Sequence, residues 1–199
     1  MPKIKSHSTS GPNQNHGCNK DFSRLCMVVI HGKLKVIEDF CESGYDINQL
    51  EKEGYSPLQL AVIHNKPKVV KMLLDFGAFD ARKRNTWRTA IIHGRINIVK
   101  VIIQSAGYIN IRDEKGYAPM HWAAFLNKIH ILETLIKFGA GINECDIFGN
   151  TPLHKVTTHG SSNVIKLLLD HGANPNYSNH NGNTPLHLVA ALKGKENAL

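Results

Sequence analysis

Twelve histidines, four cysteines and 16 carboxylates are the side chains of this 199-residue chain able to ligate a metal or relay a proton. A zinc site needs Cys or His in closely spaced pairs, so that four ligands can converge on one ion. Here Cys18, Cys26, Cys41 and Cys145 lie far apart with no CxxC pair, and Cys18 has only His7 and His16 near it in sequence. A phosphate-cradling GxxxxGK segment, a GxSxG elbow, an HExxH helix and a dinucleotide-type GxGxxG loop are missing from the sequence. Asp113 and Glu114 are adjacent carboxylates, but they fall between two apolar stripes, where solvated charges are ordinary. The sequence therefore predicts no catalytic residue, no metal and no cofactor. Function is expected to reside in rings and cations on a surface.

The elements that would hold such a surface are those of a globular chain. Hydrophobic residues make up 42 % and charged residues 20 %, enough to bury a core. The longest apolar runs, such as Cys26 to Ile30, fall far short of the roughly 20 residues that span a bilayer, so no membrane insertion is expected. Residues 1–20 are polar and basic, with Lys3, Lys5 and Lys20 and no acid, and lack the apolar stretch of a secretory signal. Scattered cysteines suit a reducing compartment, which predicts an intracellular protein of the cytoplasm or nucleus. The net charge of +8 favours an acidic partner or nucleic acid. Lys33, Lys35, Lys66, Lys68 and Lys71 are dispersed rather than aligned in the stripe a duplex needs, so nucleic acid is the weaker expectation.

Internal repetition decides the architecture. Gly54-Tyr-Ser-Pro-Leu-Gln-Leu-Ala61, Gly116-Tyr-Ala-Pro-Met-His-Trp-Ala123, Gly149-Asn-Thr-Pro-Leu-His154 and Gly182-Asn-Thr-Pro-Leu-His187 align without gaps. Gly116, Gly149 and Gly182 recur every 33 residues, and Gly54 stands 62 residues before Gly116, four short of two periods. A second marker follows the same period, in Gly44-Tyr-Asp-Ile-Asn48, Ala106-Gly-Tyr-Ile-Asn110, Gly139-Ala-Gly-Ile-Asn143 and Gly172-Ala-Asn-Pro-Asn176. Between the markers run apolar helical stripes, such as Val69, Val70, Met72, Leu73 and Leu74. Ser56, Thr151 and Thr184 can cap a first helix whose N1 residue is the following proline. Gly77, Gly139 and Gly172 suit the left-handed end of a second helix. No such unit buries its apolar face alone, so neighbours must stack.

The Thr-Pro-Leu-His boxes, the Gly-Ala-x-x-Asn turns and the 33-residue spacing resemble ankyrin repeats, from about residue 21 to the end. The resemblance implies an all-α solenoid of stacked helix-turn-helix units with β-hairpin fingers. Residues 1–20 form a tail, and repeats fall near 21–50, 51–81, 82–113, 114–146, 147–179 and a partial 180–199. The third repeat is four residues short. Counting forward from Gly77 puts Thr89-Ala90 in the Thr-Pro slot and removes a turn of its first helix, whereas counting back from Gly94 shortens the finger. The match of Thr89-Ala90-Ile91 to the box favours the first alignment.

By resemblance, the chain is a monomeric, non-catalytic module that binds another protein through its concave face. His121, His154 and His187 then occupy the box position that hydrogen-bonds neighbouring turns. Carried over position by position, the binding face contains Tyr55, Trp87, Arg88, Tyr117, Phe125, Leu126, Phe148 and His159, with Tyr117, Phe125, Trp87 and Arg88 as anchors. Trp122, in a box, is expected in the core. Arg82, Lys83, Arg84 and Arg88 form the densest basic cluster, suited to an acidic patch or a phosphate. Asn143 and Asn176 follow Leu135 and Leu168 by eight residues, a spacing similar to that of asparaginyl hydroxylation sites in ankyrin repeats. The alternatives are an adaptor fragment whose missing C-terminal region recruits a ubiquitin ligase or signalling enzyme, and a basic binder of nucleic acid or anionic surfaces.

Overall fold

The computed structural model describes residues 20–51, 53–79, 86–157 and 161–196. Residues 1–19 of the tail, the basic residues Arg82, Lys83 and Arg84, and His159 lie outside the described residues, while Lys20 already belongs to the first helix. The regular elements of the described chain are all helices: α1 (Lys20–His31), α2 (Leu34–Glu42), α3 (Pro57–Ile63), α4 (Pro67–Asp75), α5 (Thr86–Ile92), α6 (Ile96–Ala106), α7 (Pro119–Phe125), α8 (Ile129–Lys137), α9 (Pro152–Thr157), α10 (Ser162–Asp170) and α11 (Pro185–Glu196). Odd-numbered helices pack on one another in one row, and even-numbered helices from α2 to α10 in a second. Each helix pair therefore touches only its neighbours, as a solenoid requires.

The box residues start the first-row helices. In α3, Ser56 Oγ accepts from Gln59 N at 3.2 Å while Gln59 Oε1 accepts from Ser56 N at 3.0 Å, a closed capping box. In the later repeats a histidine takes the part of that glutamine. His121 Nδ1 accepts from Ala118 N at 3.1 Å, His154 Nδ1 from Thr151 N at 3.1 Å and His187 Nδ1 from Thr184 N at 3.2 Å. The core runs the length of the stack through fully buried Leu25, Ile37, Leu73, Ile91, Ile98, Met120, Leu132, Leu135 and Leu168.

The fingers are hydrogen-bonded turns, with no strand among the described residues. Asp113, Asp146 and Asn179 each fold one side-chain oxygen over the turn, accepting from backbone N–H groups two and four residues ahead at 2.8–3.0 Å. Successive fingers are joined by single backbone bonds, Ile147 N to Lys115 O at 3.4 Å and His180 N to Phe148 O at 3.0 Å. The Asn markers form a second ladder. Asn48, Asn110 and Asn143 use Oδ1 to accept from the backbone of Phe79, Gly141 and Asn174 at 3.0, 3.2 and 2.8 Å.

The third repeat corrects the favoured alignment. Helix α5 begins at Thr86 and keeps seven residues, as α3 and α7 do. Its left-handed closing residue is Gly94, matching Asn65 and Asn127 after α3 and α7. Counting back from Gly94 is therefore correct, and the four-residue shortfall precedes Thr86. Placing Thr89-Ala90 in the Thr-Pro slot is wrong by one helical turn. That is the shift an amphipathic pattern resists least, because residues i and i+4 share a face.

Candidate binding groove

The structure reverses the expected places of the two tryptophans. Trp87 now stands where Leu58, Met120 and Leu153 stand, and like them it is buried, at 4 % exposure. It is a core residue and not a surface anchor, a correction to its expected place on the binding face. Among the described residues its enclosed indole N–H has no hydrogen-bond partner. Trp122 corrects the opposite expectation. It is half-buried rather than core, and its Nε1 donates to Asp113 Oδ2 at 2.9 Å.

Around Trp122 the first-row helices gather a continuous cluster. Tyr117 meets it edge-on at 5.8 Å between ring centroids and Phe125 at 6.2 Å, while the Arg88 guanidinium carbon lies 5.1 Å from the Trp122 ring centre. Tyr117 also stacks at 5.9 Å on the box ring of His121. From the next repeat, Lys155 Nζ donates to Tyr117 Oη at 3.0 Å and sits 4.3 Å above its ring centre. Four of these contacts join aromatic quadrupoles to edges or cations, each worth about 0.5–1.5 kcal/mol. The structure thus brings Arg88, Tyr117 and Phe125 together. Tyr55 is half-buried in the adjoining groove, Leu126 is half-buried against the core, and Phe148 stands apart on its finger, 53 % exposed beside Ile147.

Two residues here were not anticipated from sequence. Lys155 is paired at 2.5 Å with Asp146, whose side chain is fully buried. Burial alone raises the Asp146 carboxyl, but the Lys155 bond and the backbone N–H groups of Asn150 and Phe148 outweigh it and hold the group below the usual carboxylate range. A usable signal was present: Trp122 and Lys155 both follow the box histidine, 33 residues apart, so the fold puts them on adjacent units of one row. Nearer the amino end, a groove of about 510 Å³ is lined by Tyr55, Gln59, Ile63, Arg88, Thr89 and His93.

The box histidines serve the scaffold. His121 and His154 are 0 % and 1 % exposed, and their Nε2 atoms lie 3.0 Å from the Asn150 and Asn183 carbonyl oxygens of the following repeats. Since Nδ1 accepts a backbone N–H, Nε2 carries the proton and donates. Burial lowers both pKa values, keeping the rings neutral. Asn143 is likewise occupied, its Nδ2 donating to Gly172 O at 3.0 Å, while Asn176 is exposed. Among the described residues no three His, Cys, Asp or Glu side chains converge as a metal site, and no helix is long and apolar enough to cross a membrane.

This geometry, repeated in register, agrees with the comparisons. The sequence profile described as ankyrin repeats in three copies matches residues 25–115 and 120–199. The chain belongs to the ankyrin repeat family. It is 27 % identical over 115 residues to an ankyrin repeat protein of fowlpox virus (strain NVSL), a match covering 55 % of this chain and 27 % of that one. The matched region spans about a quarter of that relative's length. Among solved structures, the ankyrin repeat domain of Bcl-3, a member of the IkappaB protein family, superposes with a TM-score of 0.75 at 26 % identity, covering 85 % of this chain and 80 % of that one. An ankyrin repeat domain from Acinetobacter baumannii AYE gives 0.72 at 24 % identity over 87 % and 93 % of the two chains, a likeness of fold. The human ASB11 ankyrin repeat domain, at 23 % identity and 0.70 over 82 % and 75 %, is alike in the same sense. Ankyrin repeats are in general modules of protein–protein interaction, and the fold is typically a non-enzymatic one.

Proposed function

We propose that this chain is a non-catalytic intracellular adaptor that binds a partner protein through the concave face carrying the Trp122 cluster. The observation that supports this most is the half-exposed constellation of Arg88, Tyr117, Trp122 and Phe125, held against a row in which Trp87 and Met120 are buried. Tyr, Trp and Arg are the residue types that carry most interface energy, and here they are held rigid before any partner arrives. Cys26, Cys41 and Cys145 are free thiols, which suits a reducing compartment, cytoplasm or nucleus.

The test is an affinity capture from cell lysate at moderate salt, with the chain beside a Tyr117→Ala/Phe125→Ala variant of verified helicity. A partner retained by the parent and lost by the folded variant is the expected result. Equal capture by both would remove this face from consideration. Capture that collapses with salt and is replaced by arbitrary duplex DNA would favour the anionic-surface reading instead.

A further inference from the structure

We propose that the groove beside Arg88 takes an acidic peptide segment of the partner, one carboxylate on the Arg88 guanidinium and the adjoining aliphatic side chain against Tyr55 and Ile63. The inference deepens the concave-face reading and rests on it.

The argument begins with the box position. Gln59, His121, His154 and His187 each use a lone pair to accept the backbone N–H three residues earlier, at 3.0–3.2 Å. Arg88 holds the same position in α5, but a guanidinium has five donors and no acceptor and cannot make this bond. The side chain extends to the face of Trp122 instead, at 5.1 Å. A guanidinium held over an indole face is bound through its charge and still has N–H groups to offer a second partner. Those groups match a carboxylate in a paired, parallel geometry.

The surroundings specify the partner's charge. Lys155, the other cation of the cluster, is already neutralised by buried Asp146 at 2.5 Å, and Arg112 is paired with Glu144. Among the described residues Arg88 has no carboxylate within ion-pair distance. The groove lining of Tyr55, Gln59, Ile63, Arg88, Thr89 and His93 contains no acid, in a chain of net charge +8. A guanidinium that shares its groove with a tyrosine and an isoleucine reads one anion beside one apolar group. A nucleic acid would need a track of cations at phosphate spacing; among the described residues of α3 and α5, Arg88 is the sole Lys or Arg.

Three probes test this on the ¹⁵N-labelled full chain, followed by NMR at the Arg88 side-chain N–H and the tryptophan indole N–H signals. They are an acetylated, amidated Gly-Leu-Glu-Leu-Glu-Leu-Gly peptide, its counterpart with Gln for Glu, and a 12-base-pair DNA duplex. The acidic peptide is expected to shift the Arg88 and Trp122 signals to saturation, with roughly tenfold weaker binding for the Gln peptide and for the Arg88→Gln variant. That variant is a fair control, because Gln59 shows that glutamine closes the cap at this position. Equal affinity for both peptides, no saturable shift at Arg88, unchanged affinity in Arg88→Gln, or tighter binding of the duplex at Arg88 would each overturn the proposal. If it fails while lysate capture still depends on Tyr117 and Phe125, only the acidic occupant is wrong; if both fail, the face itself is.

Discussion

A histidine in this scaffold is defined by what its two nitrogens touch. His121 and His154 accept with Nδ1 inside their own repeat and donate with Nε2 into the next, so one neutral tautomer clamps two units. Protonating Nδ1 would set N–H against N–H in a buried site. Their folded pKa values are depressed by burial from the ordinary 6.5. As pH falls below about 6.5, the unfolded chain therefore takes up protons that the folded one refuses, and stability present above that pH is lost. Thermal melts by circular dichroism between pH 8 and 5 are expected to show a falling midpoint below pH 6.5. The fall should be shallower in His154→Gln, which keeps an acceptor for the cap.

At the scale of the element, the fingers depend on how closely one turn can approach the next. Gly149 has φ +76°, and a Cβ there would stand 2.8 Å from the His180 backbone N and 2.7 Å from its Cδ2, against the very N–H that bonds Phe148 O. Gly182 has nearly the same φ, +75°, and among the described residues nothing lies within 4 Å of its Cβ position. Both alanine variants carry the left-handed backbone cost of roughly 1–2 kcal/mol. Gly149→Ala should lose about 1 kcal/mol or more beyond Gly182→Ala in urea denaturation, because it also displaces the next finger. Equal losses would mean that the finger-to-finger bond contributes nothing to the stack. The third repeat carries the same point about elements. Its first helix is intact because Trp87, Ala90 and Ile91 are core residues the stack requires, so the deletion falls outside the helix.

Over the whole molecule, one sequence position changes meaning with its place in the array. Leu58, Met120, Leu153 and Leu186 are equivalent in the repeat; the first three are at most 3 % exposed, and Leu186 is 73 % exposed. In a stack where each unit touches only its neighbours, burial comes from the adjacent repeat. Leu153→Ala is expected to cost about 2–5 kcal/mol and Leu186→Ala within about 0.5 kcal/mol, read from chemical denaturation midpoints at constant slope. Comparable costs would show that an apolar surface covers Leu186 in solution.

The period of 33, the proline-led first helices, the all-α class and the family were legible in the sequence, because they rest on local rules: caps, turn residues and the spacing of apolar side chains. The role of the box histidines was implied by the family resemblance, and their Nε2 bonds into the next repeat bear it out for His121 and His154. The candidate face was legible only in part. Tyr117, Phe125 and Arg88 were placed together, while Trp87 and Trp122 were exchanged and Lys155 and Asp146 were missed. A four-residue deletion leaves two helical alignments that present nearly the same face, and only packing against α3 and α7 chooses between them. The register of α5, the exposure of Trp122 and the buried Asp146–Lys155 pair were decided by the tertiary structure, since each depends on which side chain of a neighbouring repeat arrives at that point.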